Sequence, residues 1–461
     1  MSEPVVNQFI ADSQIKSFDL KHRKTIAFNM SKYDAAVARG KQQYSNLAMA
    51  RRQASLKKYR SIEHLENALK DFEQNFTRRG GKVLWAQDAD EANRLILDVL
   101  QKHQVKKLVK SKSMVTEELQ LGHFLELHGI ESVETDLGEY IVQISGDKPY
   151  HIVTPVMHRS AEDIAVIFHE KFGLSLESTP QEITAFVRKT LREKFAGVQA
   201  GITGANFLVS SSGSVALTEN EGNGVLSAAM PPLHIVVAGI EKVIENPADL
   251  HLFWPLLATF GTGQNITAYN SLFSGPRQKG EVDGPTDMVV ILLDNGRTNL
   301  LAQLPQRRAL SCIRCGACLN ACPVYHNIGG HTYGSVYSGP IGAVITPHLK
   351  SMKAYKHLSY ATSLCGKCTE VCPVNINIHQ LLLENRKQAV LQKLSPPVEN
   401  LGMTAWKKVM LNRKWMNLAP PGIKNFFLKK LFSSSWGKRR NLPPIAAKNF
   451  GQLWKSRQKN G

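Results

Sequence analysis

The sequence predicts an α/β domain on a mostly parallel sheet, followed by a smaller helical unit that carries every cysteine of the chain. Three observations lead there. Strand-like and helix-like segments alternate between residues 61 and 300, the pattern that covers a parallel sheet with helices. Past residue 300 cysteine and proline enter and β-branched runs thin out. All seven cysteines fall within residues 312–372, in two groups. A chain of 461 residues is too long for one ordinary core. It divides into a basic helical N-terminal arm (1–60), the α/β domain (61–300), the cysteine-bearing helical domain (301–395) and a basic aromatic C-terminal tail (396–461).

In order along the chain, residues 1–60 are rich in helix formers, with Gly40 as the internal punctuation of their basic stretch. Lys82–Ala86 reads as a strand. Asp88–His103 reads as an amphipathic helix with acids early and Lys102 and His103 late, matching the helix dipole. Leu108–Val109 reads as the next strand, and Thr116 opens a helix closed by Gly129. His151–Thr154 reads as a strand. Ser160 opens a helix that ends near Gly173, and Thr179-Pro180-Gln181-Glu182 has the form of a capping box with proline at N1. Glycine- and serine-rich strands follow at 201–218. The apolar runs 234–238 and 288–293 read as buried strands, and residues 379–394 as a helix.

Charge and composition exclude several classes. The net charge is +19, but residues 1–60 hold +8, residues 401–461 hold +14 with no acidic residue, and the middle sums to −3. A uniformly basic nucleic-acid-binding domain would look different, and no nucleic acid is expected as a partner. No run approaches the roughly 18–20 apolar residues of a spanning helix. The N-terminus lacks a basic segment ahead of an apolar core, which predicts a cytoplasmic setting. No G-x-G-x-x-G lies at a strand–helix junction, so no dinucleotide site of the usual kind is expected.

The cysteines carry the chemistry. The first group is Cys312-x2-Cys315-x2-Cys318-x3-Cys322-Pro323, the bacterial ferredoxin run. Spacings of three residues wrap three thiolates around one face of a cubane, Gly316 lets the backbone turn close, and the fourth cysteine points to a second cluster. The second group, Cys365-x2-Cys368-x3-Cys372-Pro373, is the same run without its first cysteine, whose place falls at Thr362. Crossed ligation then assigns Cys312, Cys315, Cys318 and Cys372 to cluster 1, and Cys322, Cys365 and Cys368 to cluster 2. Structural zinc prefers four ligands in two pairs and fits this repeated run poorly; free thiols fit less well still. The expectation is two iron–sulfur clusters, [4Fe–4S] at cluster 1 and either [4Fe–4S] with a non-thiolate ligand or [3Fe–4S] at cluster 2. A ligand from a partner is the third way to complete that site. His326, His331 and His357 are ligands by chemistry alone and read first as packing or surface histidines. The 42 residues between Cys322 and Cys365 imply a helical ferredoxin domain with a loop insert over the clusters.

Around these cysteines, Cys312–Cys318, Cys322–Tyr325, Gly329–His331, Tyr333–Ser335 and Gly339–Gly342 resemble the lactate-utilisation iron–sulfur proteins, the protein B class of that operon. Upstream, Lys110–Glu118, Glu134–Tyr140, Gly201–Gly204, Thr218–Asn223, Val282–Pro285 and Asp294–Arg297 resemble their lactate-utilisation domain. The resemblance covers roughly residues 65–390 and departs at Thr362, where related chains can carry a cysteine. It implies an iron–sulfur electron-transport subunit of a complex that oxidises L-lactate to pyruvate, with two companion lactate-utilisation proteins. It also implies that this is not the catalytic subunit, and that the α/β domain is similar to sugar-isomerase and CoA-transferase folds. That likeness transfers no chemistry, and no residue is assigned a catalytic role. Two other classes stand beside it: a redox enzyme that binds a hydroxy acid at an open cluster iron, and a redox-sensing regulatory module.

In the α/β domain, the loop Lys110-Ser111-Lys112-Ser113 follows a strand and is either an anion site or a solvated basic loop. Residues 210–214 read as a hairpin turn, the alternative being a loop of backbone donors. Glu219 and Glu221 with Gly222 resemble the glutamate loop of CoA-transferase-like folds. Asp283, Asp294 and Arg297 sit where α/β ligands often bind, or serve turns and ion pairs. In the tail, Met403, Trp406 and Met410 share one helical face, and residues 424–432 are basic and aromatic. The readings there are docking to an acidic partner subunit, wrapping on the chain's own body, and contact with the inner face of a membrane.

Overall fold

The computed structural model describes residues 4–436 and 441–459, in two compact units, Met1–Ala389 and Val390–Gly461. The first unit is built on β1 (Lys82–Ala86), β2 (Lys107–Lys110), β3 (Glu131–Glu134), β4 (Ala200–Thr203), β5 (Phe207–Val209), β6 (Ser214–Glu219), β7 (Leu233–Gly239), β8 (Val243–Ile244), β9 (Tyr269–Phe273) and β10 (Asp287–Leu293). Six strands form one sheet in the order β1-β10-β7-β4-β2-β3, all neighbours parallel. The order β8-β5-β6-β9 makes a second, mixed sheet.

The central strands explain why the large sheet forms where it does. β7 is buried along its whole length, and β10 from Met288 onward. Such continuous apolar runs suit strands covered on both faces. Side chains alternate between those faces. Ile235, Val237, Val289 and Ile291 join the helix Ala89–Lys102 through Ile96 and Leu100. Val236, Ala238, Val290 and Leu292 pack on Phe72 and Phe76 of the helix Leu65–Arg78. At β4, a Cβ on Gly201 would lie 1.7 Å from the Ser227 carbonyl oxygen, so glycine is what lets the helix Asn223–Ala229 rest on the strand.

The capping boxes at Ser160/Asp163 and Thr179/Glu182 form, and the helices they start end at Phe172 and Ala196. Other expectations need correction. His151–Thr154 is no strand: the neutral His151 ring accepts the N–H groups of Val153 (3.1 Å) and Thr154 (3.2 Å) at Nδ1. Those donors, which a ladder would have used, are consumed within a bend. The helix read from Thr116 to Gly129 is two helices, Met114–Glu118 and Leu121–Leu127, broken at Gln120 with φ +52°. The edge strand β3 is not predicted by its sequence, Glu-Ser-Val-Glu, which carries two acids; Glu134 is tolerated there because Lys110 of β2 pairs with it at 2.8 Å.

The N-terminal helices Pro4–Phe18, Leu20–Gly40 and Leu47–Glu63 belong to the first unit. Their residues Ile26, Met30, Ala54 and Ile62 share a core with Phe253 and Leu256 and with five of the cysteines. The second unit contains the helices Pro397–Leu411, Arg413–Met416, Pro421–Trp436 and Phe450–Lys459. Trp406, Trp415, Phe426, Phe427, Phe432 and Trp454 are exposed there. No helix among the described residues is long and apolar enough to cross a membrane.

Candidate metal centre

The two cysteine runs fold as one backbone motif used twice. Arg314 and Leu364 both take positive φ, +61° and +53°, and Gly316 and Gly366 both take φ +79°. Each glycine starts a one-turn helix, Ala317–Asn320 or Lys367–Glu370. The carbonyl of Gly316 receives the N–H groups of Leu319 and Asn320, and that of Gly366 those of Thr369 and Glu370. The equivalence extends to the missing cysteine. The Arg314 N–H points at Cys312 Sγ (3.4 Å), and the Leu364 N–H donates to Thr362 Oγ1 (3.0 Å). Thr362 thus stands in the second loop where Cys312 stands in the first.

A small cavity is lined by Cys312, Cys315, Cys318 and Cys372, with Ile152, Ile313, Ile341, Val374 and Ile376 as its apolar wall. Burial pushes the thiols of Cys315 and Cys318 far up, and repulsion from Cys312 adds to it. Cys372 is pushed up to about 11, chiefly by burial. Cys322, Cys365 and Cys368 form the other neighbourhood. Burial raises Cys322 and takes Cys368 to about 11, and Cys365 repels both. Cys365 is exposed, and the Lys367 N–H, then Ser363, lower its pKa.

None of the seven thiols is in a disulfide. Every one receives backbone N–H groups, from Arg314 at Cys312 and Ile376 at Cys372 (3.3 Å). Ala317 and Ile341 serve Cys315 and Cys318, Val324 and Tyr325 serve Cys322, and Lys367 and Thr369 serve Cys365 and Cys368. Donors aimed at sulfur suit thiolates, and buried thiolates of like charge persist only with a cation among them. The donor set therefore fits iron–sulfur clusters, which would supply one-electron acceptance and release when bound.

The histidines offered by chemistry alone are engaged elsewhere. His326 Nε2 bonds with the Asn320 carbonyl, and His331 Nε2 with that of Lys148 (2.7 Å). His331 also faces Asp147 and His158, and His357 Nδ1 lies 3.1 Å from the Ala354 carbonyl, its ring against Phe9.

The α/β loops sort as follows. Lys110 is fully buried between Glu134 and Glu117 and is closed to an external anion. Ser111, Lys112 and Ser113 line a cavity of about 560 Å³ together with Glu219 and Glu221. The Lys112 ammonium bonds to the Val153 carbonyl. Both oxygens of Glu219 are taken by the N–H groups of Gly224 and Val225 (2.7 Å each), which makes it a loop anchor. Residues 210–214 turn the β5–β6 hairpin, and the Ser210 and Ser211 N–H groups bond to Ile244 and Glu245. Asp283 is exposed ahead of β10. Asp294 holds Thr298 by its N–H (2.7 Å) and hydroxyl (2.8 Å).

Arg297 is buried, with its guanidinium on both oxygens of Glu118 (3.0 and 2.9 Å) and on Glu241 (2.6 Å). Burial alone would push Glu241 up, but Arg297 and Arg314 outweigh it and hold Glu241 at about 2. Sequence reading missed Glu241, Lys242 and the charge role of Arg314, since nothing local marks residues 73 positions apart, as Glu241 and Arg314 are, as partners.

The LUD domain matches residues 69–293, and the 4Fe-4S dicluster domain matches residues 308–376. Lactate utilization protein B of Bacillus cereus strain AH820 is 42% identical over 412 residues, 87% of each chain. The proteins of that name from Bacillus thuringiensis strain Al Hakam and Bacillus anthracis strain A0248 match to the same extent. A crystal structure of a duf162 family protein from Deinococcus radiodurans covers 50% of this chain and 98% of its own at 14% identity, with a TM-score of 0.29. With 42% identity across 87% of its length, the chain belongs to the lactate utilization protein B family.

Proposed function

We propose that this chain is the iron–sulfur electron-transfer subunit of a complex that oxidises L-lactate to pyruvate. The observation that supports it best is the doubled cysteine loop, with one thiol of each run placed beside the other run's. On this reading Cys312, Cys315, Cys318 and Cys372 hold one cluster, and Cys322, Cys365 and Cys368 the other. Crossed ligation of this kind ties the two loops together and keeps two one-electron stations adjacent. The apolar wall of Ile152, Ile313, Ile341 and Ile376 excludes water from the first station. The backbone N–H groups stabilise added negative charge on the sulfurs.

Two companion proteins complete the complex in this proposal. The basic tail, with its exposed Trp and Phe side chains, docks on an acidic companion surface. The related names support a place in lactate utilisation, and the α/β domain supports a scaffold. Electron paramagnetic resonance of the anaerobically isolated complex, before and after L-lactate, tests the reading. Cluster signals that appear or change with lactate are expected. Signals that respond to dithionite but ignore lactate would remove lactate as the electron source.

A further inference from the structure

Beside Cys312 the protein buries more positive charge than negative. Lys58, Lys242 and Arg297 are buried, and the Arg314 side chain is 9% exposed. The carboxylates that meet them are Glu118 and Glu241. Arg297 holds Glu118 and shares Glu241 with Arg314, which reaches it at 3.2 Å. Lys58 donates instead to the carbonyls of Glu241 (2.5 Å) and Val243 (2.9 Å). Four cations on two carboxylates leave a positive excess among the described residues.

Sulfur balances that excess. Burial opposes the charge of Lys58, Lys242 and Arg314, and the Cys312 sulfur is among the groups that sustain it in each. Burial, then Arg314, pull the Lys242 ammonium down to about 8, while Glu241 and Cys312 hold it up, so it is charged at pH 7. The three cations come from separate parts of the chain: the helix Leu47–Glu63, the turn Ile240–Lys242 after β7, and the first cysteine loop. All converge on one sulfur. The second neighbourhood is built differently. Its cation is Lys367, beside the exposed Cys365, and Lys367 is itself exposed and paired with Glu370 at 2.9 Å.

A thiolate-ligated cluster is an anion, and one more electron adds to its negative charge. Burial therefore opposes reduction, and fixed cations in a low-dielectric wall favour it. We propose that Lys242 and Arg314 are positioning residues that set the reduction potential of the cluster held by Cys312, Cys315, Cys318 and Cys372, raising it so that this buried site accepts an electron. The α/β domain then does more than scaffold, since the turn after β7 supplies part of the charge. This role rests on the cluster proposed at those thiols, but not on lactate as the electron source.

The test is a redox titration of the anaerobically isolated complex at pH 7, poised with dithionite and mediator dyes and followed by electron paramagnetic resonance. Thr362→Cys marks the cluster 2 signal, because it changes that site. Lys242→Gln is expected to weaken reduction of cluster 1 at least tenfold, a fall in midpoint of about 59 mV, with cluster 2 unmoved and with Lys242→Arg restoring the wild-type value. Arg314→Gln, loaded by iron assay, must move the same signal in the same direction. An unchanged cluster 1 midpoint in either variant overturns the proposal. So does an equal shift of both clusters, or a Lys242→Arg protein shifted as far as Lys242→Gln. Loss of cluster 1 from both variants would make the two residues structural and overturn it as well. A wild-type complex with no cluster signal under dithionite would remove the iron–sulfur reading together with this role. Clusters that ignore lactate but whose potential follows Lys242 would overturn only lactate as the donor.

Discussion

Thr362 shows how far one residue's position can be read. Alignment on the trailing prolines places it opposite Cys312, and the backbone agrees, since its Oγ1 accepts the Leu364 N–H as Cys312 Sγ receives that of Arg314. A hydroxyl is a poor replacement for thiolate on iron, so the iron nearest Thr362 is the one most weakly held in the proposed cluster 2. Thr362→Cys is expected to retain about one more iron per chain after brief air exposure than the wild type. Iron assay and electron paramagnetic resonance measure this; equal losses would place Thr362 away from that iron. His151 teaches the opposite lesson. Its apolar neighbours suggest a strand, but burial lowers its pKa to about 3, and the neutral ring caps two N–H groups. Neither property is written in a local pattern.

Elements are joined here by charge as well as by apolar packing. Arg297 ties the helix Arg297–Leu301 to Glu118 at the end of Met114–Glu118 and to Glu241 in the turn Ile240–Lys242. All three side chains are buried, with 1%, 7% and 1% exposure. Removing one member of such a group strands the others without compensation. Arg297→Leu is expected to cost about 3–5 kcal/mol, read by urea or thermal unfolding of the cluster-loaded protein; a loss below about 1 kcal/mol would show that Glu118 and Glu241 find other partners. The helices with sequence-visible caps form where their caps predict, because Ser160 and Thr179 act within one turn. The elements that were misread, β3 and the bend at His151, depend on contacts with Lys110 of the neighbouring strand and on burial of an imidazole.

At the scale of the whole molecule, the chain separates near residue 390 into a large unit and a basic one. The first contains every cysteine, both sheets and the N-terminal helices. Arg51 from those helices donates to the Cys372 carbonyl at 2.8 Å and to that of Glu370 at 2.7 Å. The arm is thus part of the metal centre's support, which its composition alone does not reveal. Deleting residues 396–461 is expected to leave the cluster signals and the thermal midpoint of the remainder within about 2 °C, while the companions no longer co-purify. Loss of the clusters on that deletion would make the tail part of the metal centre.

What the sequence determined by itself is whatever acts over a few residues: capped helices, apolar central strands, the doubled cysteine run and the vacancy at Thr362. Period, caps and ligand spacing are local quantities, and they survive without knowledge of the fold. Tertiary structure alone decided that Arg51 of the N-terminal helices supports the Cys372 carbonyl, 321 positions away. It also decided that Lys110 is sealed by Glu134 and that Glu241 is shared by Arg297 and Arg314. The reason is physical. Burial and charge pairing depend on which distant segments share a low-dielectric space, and only the folded chain sets that.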